Sequence, residues 1–335
     1  MTPEAKRGDV RKIPVVKRFF LQSYSSAVCA CILLVAIFSI FTDSFLSSFN
    51  LFNLSRTIAS YGFIAAAQLM VAVIGGMNLA VGAVGGLTTV VVGILMQDMG
   101  VSSGLAVAVA LCVGILCGLL NGYLITRLRL APFVITLAMQ FVYDGLGMGI
   151  SHGYSYKVNE GFDSLGRGRV FTGTPFMTSQ MFMLFLLLVV VLIVLFRYTR
   201  FGRNVLAVGG NESAARLSGI NADSVIILCN VISCALAAVA AMLWTSRTGT
   251  ASPTTGQDWM LYSFAVVAIG GISLNGGSFT AVGFLCGAMI LTMVRNGLTM
   301  MSVDIYFEKA FIGAVILLAV SVESLRSKVA RRIVN

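Results

Sequence analysis

Few polar residues interrupt the apolar stretches of this chain, and their types and spacing limit what chemistry they can do. Two Gly-Gly steps, Gly75-Gly76 and Gly270-Gly271, break hydrophobic runs and are followed by amides, Asn78 and Asn275. Such steps are either tight turns and small-residue helix contacts, or broken helices that line a cavity. In the second case the two amides would offer donors and acceptors to the hydroxyl groups of a solute. Gln68, Asn121, Gln140, Asn230 and Asn296 are open to the same two readings, interhelical bonds or a polar path. Two charges, Asp144 and Arg295, fall inside apolar runs, where an unpaired ion costs several kcal/mol. They are expected to pair or to face a wet vestibule.

Sets of residues that make or break covalent bonds are not evident. The only histidine, His152, stands between two runs and reads as an ordinary loop residue. No cluster of His, Asp or Glu has ligand spacing, so no metal or catalytic site is expected. The seven cysteines (Cys29, Cys31, Cys112, Cys117, Cys229, Cys234, Cys286) lie within apolar runs without CxxC spacing, and read as packing residues. No GxxxxGK[ST] phosphate loop occurs, so ATP hydrolysis would have to come from another chain.

The elements that carry these residues follow from composition. Of 335 residues, 58% are hydrophobic and 11% charged, with a mean hydropathy of +0.93. That leaves too little polar surface to coat a water-facing globule. Apolar runs fall at 24 to 42, 57 to 75, 79 to 97, 103 to 125, 132 to 150, 180 to 197, 223 to 246, 259 to 273, 279 to 297 and 307 to 323. They are continuous, not alternating, so the expected fold is an all-α polytopic membrane protein of about ten transmembrane helices.

The net charge of +10 reflects topology and not nucleic acid, because the bases cluster at the ends of runs. With the N-terminus inside, the cytoplasmic segments collect most of the 23 Lys and Arg residues: those of segment 1 to 23, Arg127 and Arg129, the group Arg197, Arg200, Arg203 and Arg216, and the tail 324 to 335. The expectation is therefore a basic N-terminal segment (1 to 23), a transmembrane domain (24 to 323) and a basic tail, with both termini cytoplasmic. The first run is expected to be a retained span and not a cleaved signal peptide.

Two hydrophilic segments stand out, an extracytoplasmic loop at 151 to 179 and a cytoplasmic loop at 198 to 223. In the second, Asn211 can cap a helix, Glu212 suits its positive end, Ala214 to Leu217 propagate it and Gly219 supplies the left-handed residue that ends it. The short helix either merely closes a loop or is a docking element for a soluble partner.

The string TRFGRNVLAVGGNESAARLSGIN (199 to 221) resembles the signature cytoplasmic loop of ABC transporter permeases of the ribose, xylose, arabinose and galactose class, which also includes autoinducer-2 importers. GGMNLAVGAVGG at Gly75 to Gly86, NGYLITRLRLAPFVITLAM at Asn121 to Met139 and AVVAIGGISLNGG at Ala265 to Gly277 are similar to further motifs of that family, in order along nearly the whole chain. The resemblance implies an inner-membrane permease that works by alternating access as one of two copies, or beside a related permease. It further implies cytoplasmic ATPase subunits and an extracytoplasmic sugar-binding protein. Gly209, Gly210, Asn211, Glu212, Ala215, Arg216, Leu217, Ser218 and Gly219 would couple to the ATPase, and Gly75, Gly76, Asn78, Gly270, Gly271 and Asn275 would line the substrate path. The sequence departs from the pattern at Asn78 and Ala80, where the family usually has Asp and Ser, and at Asp144, where Arg is common.

Two other classes fit less well. An ion-coupled secondary transporter needs an ionisable relay near the midplane, and none is evident. A membrane-embedded enzyme would need a nucleophile and base that the sequence does not supply.

Overall fold

Continuous apolar runs fold as helices in lipid, because a helix satisfies its own backbone. The computed structural model describes residues 25–42, 44–159, 161–170, 177–301 and 310–314, and single positions at 304, 307, 317 and 321. Segment 1 to 23, the tail 324 to 335 and most of the run at 307 to 323 lie outside the described residues. The described helices are α1 (Ser25–Phe41), α2 (Ser48–Ala72), α3 (Val81–Gln97), α4 (Ser103–Leu128), α5 (Pro132–Ser151), α6 (Ser164–Arg167), α7 (Gln180–Tyr198), α8 (Arg200–Gly210), α9 (Glu212–Leu217), α10 (Ala222–Thr248), α11 (Trp259–Ile269) and α12 (Ala281–Met300). Five of them, α4, α5, α7, α10 and α12, are long and apolar enough to cross a bilayer by length and composition.

Burial explains why the other apolar runs look different. Helix α2 has 25 residues and is buried on nearly all sides, packed by α10, α11, α7 and α12. Walled by protein and not lipid, it tolerates Ser55, Ser60 and Gln68. Helix α3 has 17 residues and α11 only 11, since each abuts one of the Gly-Gly breaks. At the rim, α4, α5 and α7 expose Leu116, Leu120, Phe141, Leu146, Leu187 and Val191, side chains suited to hydrocarbon.

Small residues set the tightest packing. In α4 the glycines at 114, 118 and 122 recur every four residues and lie along one face. A Cβ on Gly118 would fall 2.6 Å from the Asn230 carbonyl oxygen, and one on Gly122 would fall 2.7 Å from the Ile227 Cα, so α4 and α10 meet backbone to backbone. Asn121, in the same face, accepts a 2.8 Å hydrogen bond from the Tyr143 hydroxyl of α5 and donates to the Cys234 sulfur of α10 (3.9 Å), and so ties three helices together.

The segment 151 to 179 is tied down where it is described. Strand β1 (Tyr156–Lys157) pairs antiparallel with β4 (Thr250–Ala251), and β2 (Arg169–Val170) with β3 (Thr178–Ser179). The Gly166 amide donates to the Ser246 hydroxyl (2.9 Å), which donates in turn to the Phe162 carbonyl (2.6 Å).

Candidate functional site

At one end of the bundle, the loop between α7 and α10 folds as two consecutive helices. The Thr199 hydroxyl accepts the Gly202 amide and caps α8, whose Gly202, Val205 and Val208 face inward. Sequence reasoning placed only one helix here and missed α8, although Val205 and Val208 stand three apart on one face of a polar segment, an amphipathic signal. Asn211 joins the two elements. Its amide closes α8 on the Ala207 carbonyl (3.1 Å), and its side-chain oxygen accepts the Ala214 amide (2.9 Å) to start α9. After Ser218, Gly219 turns left-handed at φ 83°. The Ile220 amide then reaches the Ala215 carbonyl and the Gly219 amide the Arg216 carbonyl, each at 3.0 Å, which is the Schellman closure. Asn221 caps α10 by accepting the Ser224 amide at 3.1 Å.

Charge fixes the outer face of this pair. Arg216 donates two hydrogen bonds to one Glu212 oxygen (3.0 and 2.8 Å) and a third to Asp223. Asp223 first, then Glu212, raise the guanidinium above its usual value, so it stays charged throughout the physiological range. Pairs this exposed add little stability; they hold one geometry. Ala215 points inward, while Leu217 is 91% exposed at the tip, an apolar side chain with no cover in the isolated chain. A groove of about 390 Å³ beside it is lined by Arg129, Pro132, Glu212, Arg216 and Asp223, among others, and so connects this pair to the turn between α4 and α5.

The end of α8 touches the α2–α3 break and the Gly276-Gly277 turn of the α11–α12 connection. The Gly277 amide donates to the Val73 carbonyl at 2.8 Å, which joins the α11–α12 break to the α2–α3 break. A Cβ on Gly209 would fall 1.9 Å from that Val73 oxygen and 2.7 Å from the Gly277 nitrogen. One on Gly276 would fall 2.6 Å from the Gly209 oxygen and 2.7 Å from the Gly75 nitrogen. Three glycine pairs, distant in sequence, thus form one junction at which α8 ends. Sequence reasoning named Gly75 and Gly209 separately and could not join them; Gly276 and Gly277 it left without a role.

The structure places the remaining path residues unequally. Asn78 is fully buried: its amide nitrogen donates to Ser233 (2.9 Å) and its oxygen accepts the Ala80 amide (3.0 Å), so its donors and acceptors serve the break itself. Thr136 clasps the same break, its hydroxyl accepting the Leu79 amide (3.2 Å) and lying 3.1 Å from the Met77 carbonyl. Gly270 packs against the Gly283 carbonyl, Gly271 is left-handed at φ 67°, and Asn275 is exposed beside Gly75. Asp144 and Arg295 occupy different parts of the bundle: α5, which carries Asp144, packs on α3 and α4, whereas α12 packs on α1, α11 and α2. Arg295 lies over the rings of Tyr61 (5.2 Å) and Tyr262 (5.0 Å) and lines a cavity at the opposite end of the bundle. Among the described residues no group of three or more His, Cys, Asp or Glu gathers as a metal site would require.

A family model described as the permease component of a branched-chain amino acid transport system matches residues 50–320. The chain belongs to this family. The permease is 37% identical over 298 residues to the ribose import permease protein of Bacillus subtilis (strain 168), an alignment covering 88% of this chain and 91% of the relative. It is 32% identical to the fructose import permease protein of Rhizobium meliloti (93% and 88% covered) and 30% identical to the galactose/methyl galactoside import permease protein of Escherichia coli (strain K12; 92% and 97% covered). No solved structure matches it. It is a multi-pass membrane protein, and its membership does not favour the ion-coupled alternative.

Proposed function

We propose that the permease is the membrane-spanning subunit of an ATP-driven importer for a monosaccharide or a sugar-like molecule. It works by alternating access, with ATP hydrolysed on cytoplasmic partner subunits and cargo delivered by an extracytoplasmic sugar-binding protein. Two permeases, identical or related, would enclose the path in the inner membrane. The observation that carries this reading is the junction at Gly209: the C-terminal end of α8 lies backbone to backbone against the α2–α3 break and the Gly276-Gly277 turn, so a force on α9, joined to α8 through Asn211, reaches the bundle without crossing a flexible linker. The relatives named as ribose, fructose and galactose/methyl galactoside import permeases support the cargo class.

In this reading ten spans place both termini in the cytoplasm. Arg127, Arg129, Arg197, Arg200, Arg203 and Arg216 then share the side that carries α8 and α9, in keeping with retention of positive charge there. Segment 1 to 23 and the tail 324 to 335 would extend the same basic face. Glu212, Ala215, Arg216 and Leu217 would meet the ATPase, with Asn211, Ser218 and Gly219 setting the ends of the helix they ride on.

The test is co-purification and uptake with the wild type and a Glu212→Arg, Ala215→Arg double variant. The expected outcome is an ATPase subunit bound to the wild type, and a double variant that still inserts yet loses both the ATPase and ATP-dependent uptake. Wild-type uptake that needs no ATPase and collapses with the proton or sodium gradient would refute the importer reading.

A further inference from the structure

The cavity under Arg295 has the chemistry of a carbohydrate site. Its volume is about 350 Å³, at the lower end of the ~300–1,000 Å³ range of small-molecule sites. Its floor is a continuous aromatic wall. The Tyr61 and Tyr262 centroids are 4.9 Å apart, Tyr61 and Trp244 are 6.2 Å apart, and Trp244 and Trp259 are 5.9 Å apart. Tyr61, Trp259 and Tyr262 are buried, whereas Thr248, Thr250, Thr254 and Gln257 are exposed at the mouth. Four threonines and a serine between positions 248 and 255 line the cavity, together with Gln257 and Asp258.

The floor is held by backbone. A Cβ on Gly82 would lie 2.1 Å from the Gly256 oxygen, and one on Gly86 would lie 2.9 Å from the oxygens of both Pro253 and Thr255. The 253 to 256 turn is therefore laid directly on α3. On the same face, a Cβ on Gly85 would fall 2.5 Å from the Trp259 ring, so the absence of a side chain there sets the depth of the indole. The GAVGG part of the Gly75 to Gly86 motif thus shapes a cavity built largely from residues more than 150 positions away.

We infer that this cavity is a transient cargo subsite for a neutral monosaccharide, on the side of the permease opposite α8 and α9. The half-buried Trp244 offers apolar area to the C–H face of a sugar ring while the ring's hydroxyls bond the Thr, Ser and Gln side chains at the mouth; the buried Tyr61 and Tyr262 rings, covered by Arg295, shape the floor beneath. One cation and one anion, Arg295 and Asp258, line it, a balance suited to a solute without net charge. An aliphatic amino-acid side chain would find hydroxyl-bearing walls in place of an apolar pocket. A cationic ligand would meet the Arg295 guanidinium already placed over the Tyr61 and Tyr262 rings. Cargo must also leave, so the subsite binds weakly. The inference rests on the importer reading for its cargo class, but its geometry is independent of the ATPase-coupling helix.

The chain contains two tryptophans, and both line this cavity, so intrinsic emission reports on it specifically. The experiment titrates the full-length permease in lipid nanodiscs with D-ribose, D-galactose, D-fructose and, separately, L-leucine, and in parallel measures uptake of each by the assembled transporter. A saturable emission change with at least one sugar and none with leucine is expected. Arg295→Gln and Thr254→Val, the latter at the exposed mouth, should each raise half-saturation at least about five-fold and lower uptake without dissociating the ATPase. Uptake of a sugar with no emission response in the wild type, or with both variants binding as the wild type does, would overturn the subsite and leave the importer reading intact. A saturable sugar response without ATP-dependent uptake would do the reverse. Saturation by leucine alone would overturn the cargo class.

Discussion

Two adjacent glycines, Gly209 and Gly210, should respond oppositely to one added methyl group. The Cβ of Gly209→Ala would lie 1.9 Å from the Val73 carbonyl oxygen, about 1.1 Å inside the closest approach that real Cβ atoms make. Its neighbours are backbone atoms, so no rotamer change relieves the clash. Separating α8 from the breaks by that amount also stretches the 2.8 Å bond from the Gly277 amide to Val73. Overpacking costs about 1–3 kcal/mol and a buried hydrogen bond left unmade a further ~1–3 kcal/mol, against up to ~1 kcal/mol gained from replacing glycine in a helix. The net loss is therefore roughly 1–6 kcal/mol, a large share of a stability of ~5–15 kcal/mol. Gly210→Ala has no atom within 4 Å of its Cβ, retains helical backbone, and keeps only the gain. The assay is thermal unfolding of each variant in detergent, followed by tryptophan emission, with ATP-dependent uptake measured in parallel. Gly209→Ala should melt several degrees lower and lose most uptake, while Gly210→Ala should match or slightly exceed the wild type. Equal melting and equal uptake for the two variants would refute the backbone junction and with it the proposed route of force.

Other substitutions probe separate links. Asn211→Ala removes the cap of α9 at a cost of about 1 kcal/mol, and should weaken ATPase retention while leaving membrane insertion unchanged in a fractionation assay. Leu217→Lys at the exposed tip should leave the melting temperature unaltered and abolish ATPase co-purification; retained co-purification would remove Leu217 from the contact. Gly118→Val puts side-chain atoms into the α10 backbone at Asn230 and Val231, and should reduce thermal stability by several degrees or prevent accumulation in the membrane. Tyr143→Phe strips the 2.8 Å donor from the buried Asn121 oxygen and should cost about 1–3 kcal/mol, read as a lower unfolding midpoint in a denaturant titration.

The sequence made some of the site legible because the chemistry involved is local. Asn211, Glu212 and Gly219 stand at the positions of a cap, a favourable first-turn charge and a left-handed stop, and the helix between them forms with those ends. Helix α8 was overlooked because its three glycines, Gly202, Gly209 and Gly210, disguise a helical segment. The Gly75 and Gly270 steps were legible as interruptions, but not the contact of the first with Gly276-Gly277, since Val73 and Gly277 are 204 positions apart and nothing in either motif names the other. Asn78 looked available to cargo because an amide in lipid asks for a partner; the partner proved to be Ser233 of α10.

What the sequence determined by itself is the solvent, the helices and their punctuation: apolar runs must be helical in hydrocarbon, and caps, glycine stops and basic ends act within a few residues. What only the tertiary structure decided is which interruptions meet. Glycine carries no side chain to specify a partner, so the junction of Gly75, Gly209 and Gly276 depends on where three separate elements are brought by the packing of α2, α10 and α12. The aromatic cavity has the same origin: Tyr61, Trp244, Trp259, Tyr262 and Arg295 come from four helices, and although Arg295 stood out as a charge in an apolar run, the four aromatic residues were indistinguishable from ordinary packing until the bundle closed around them.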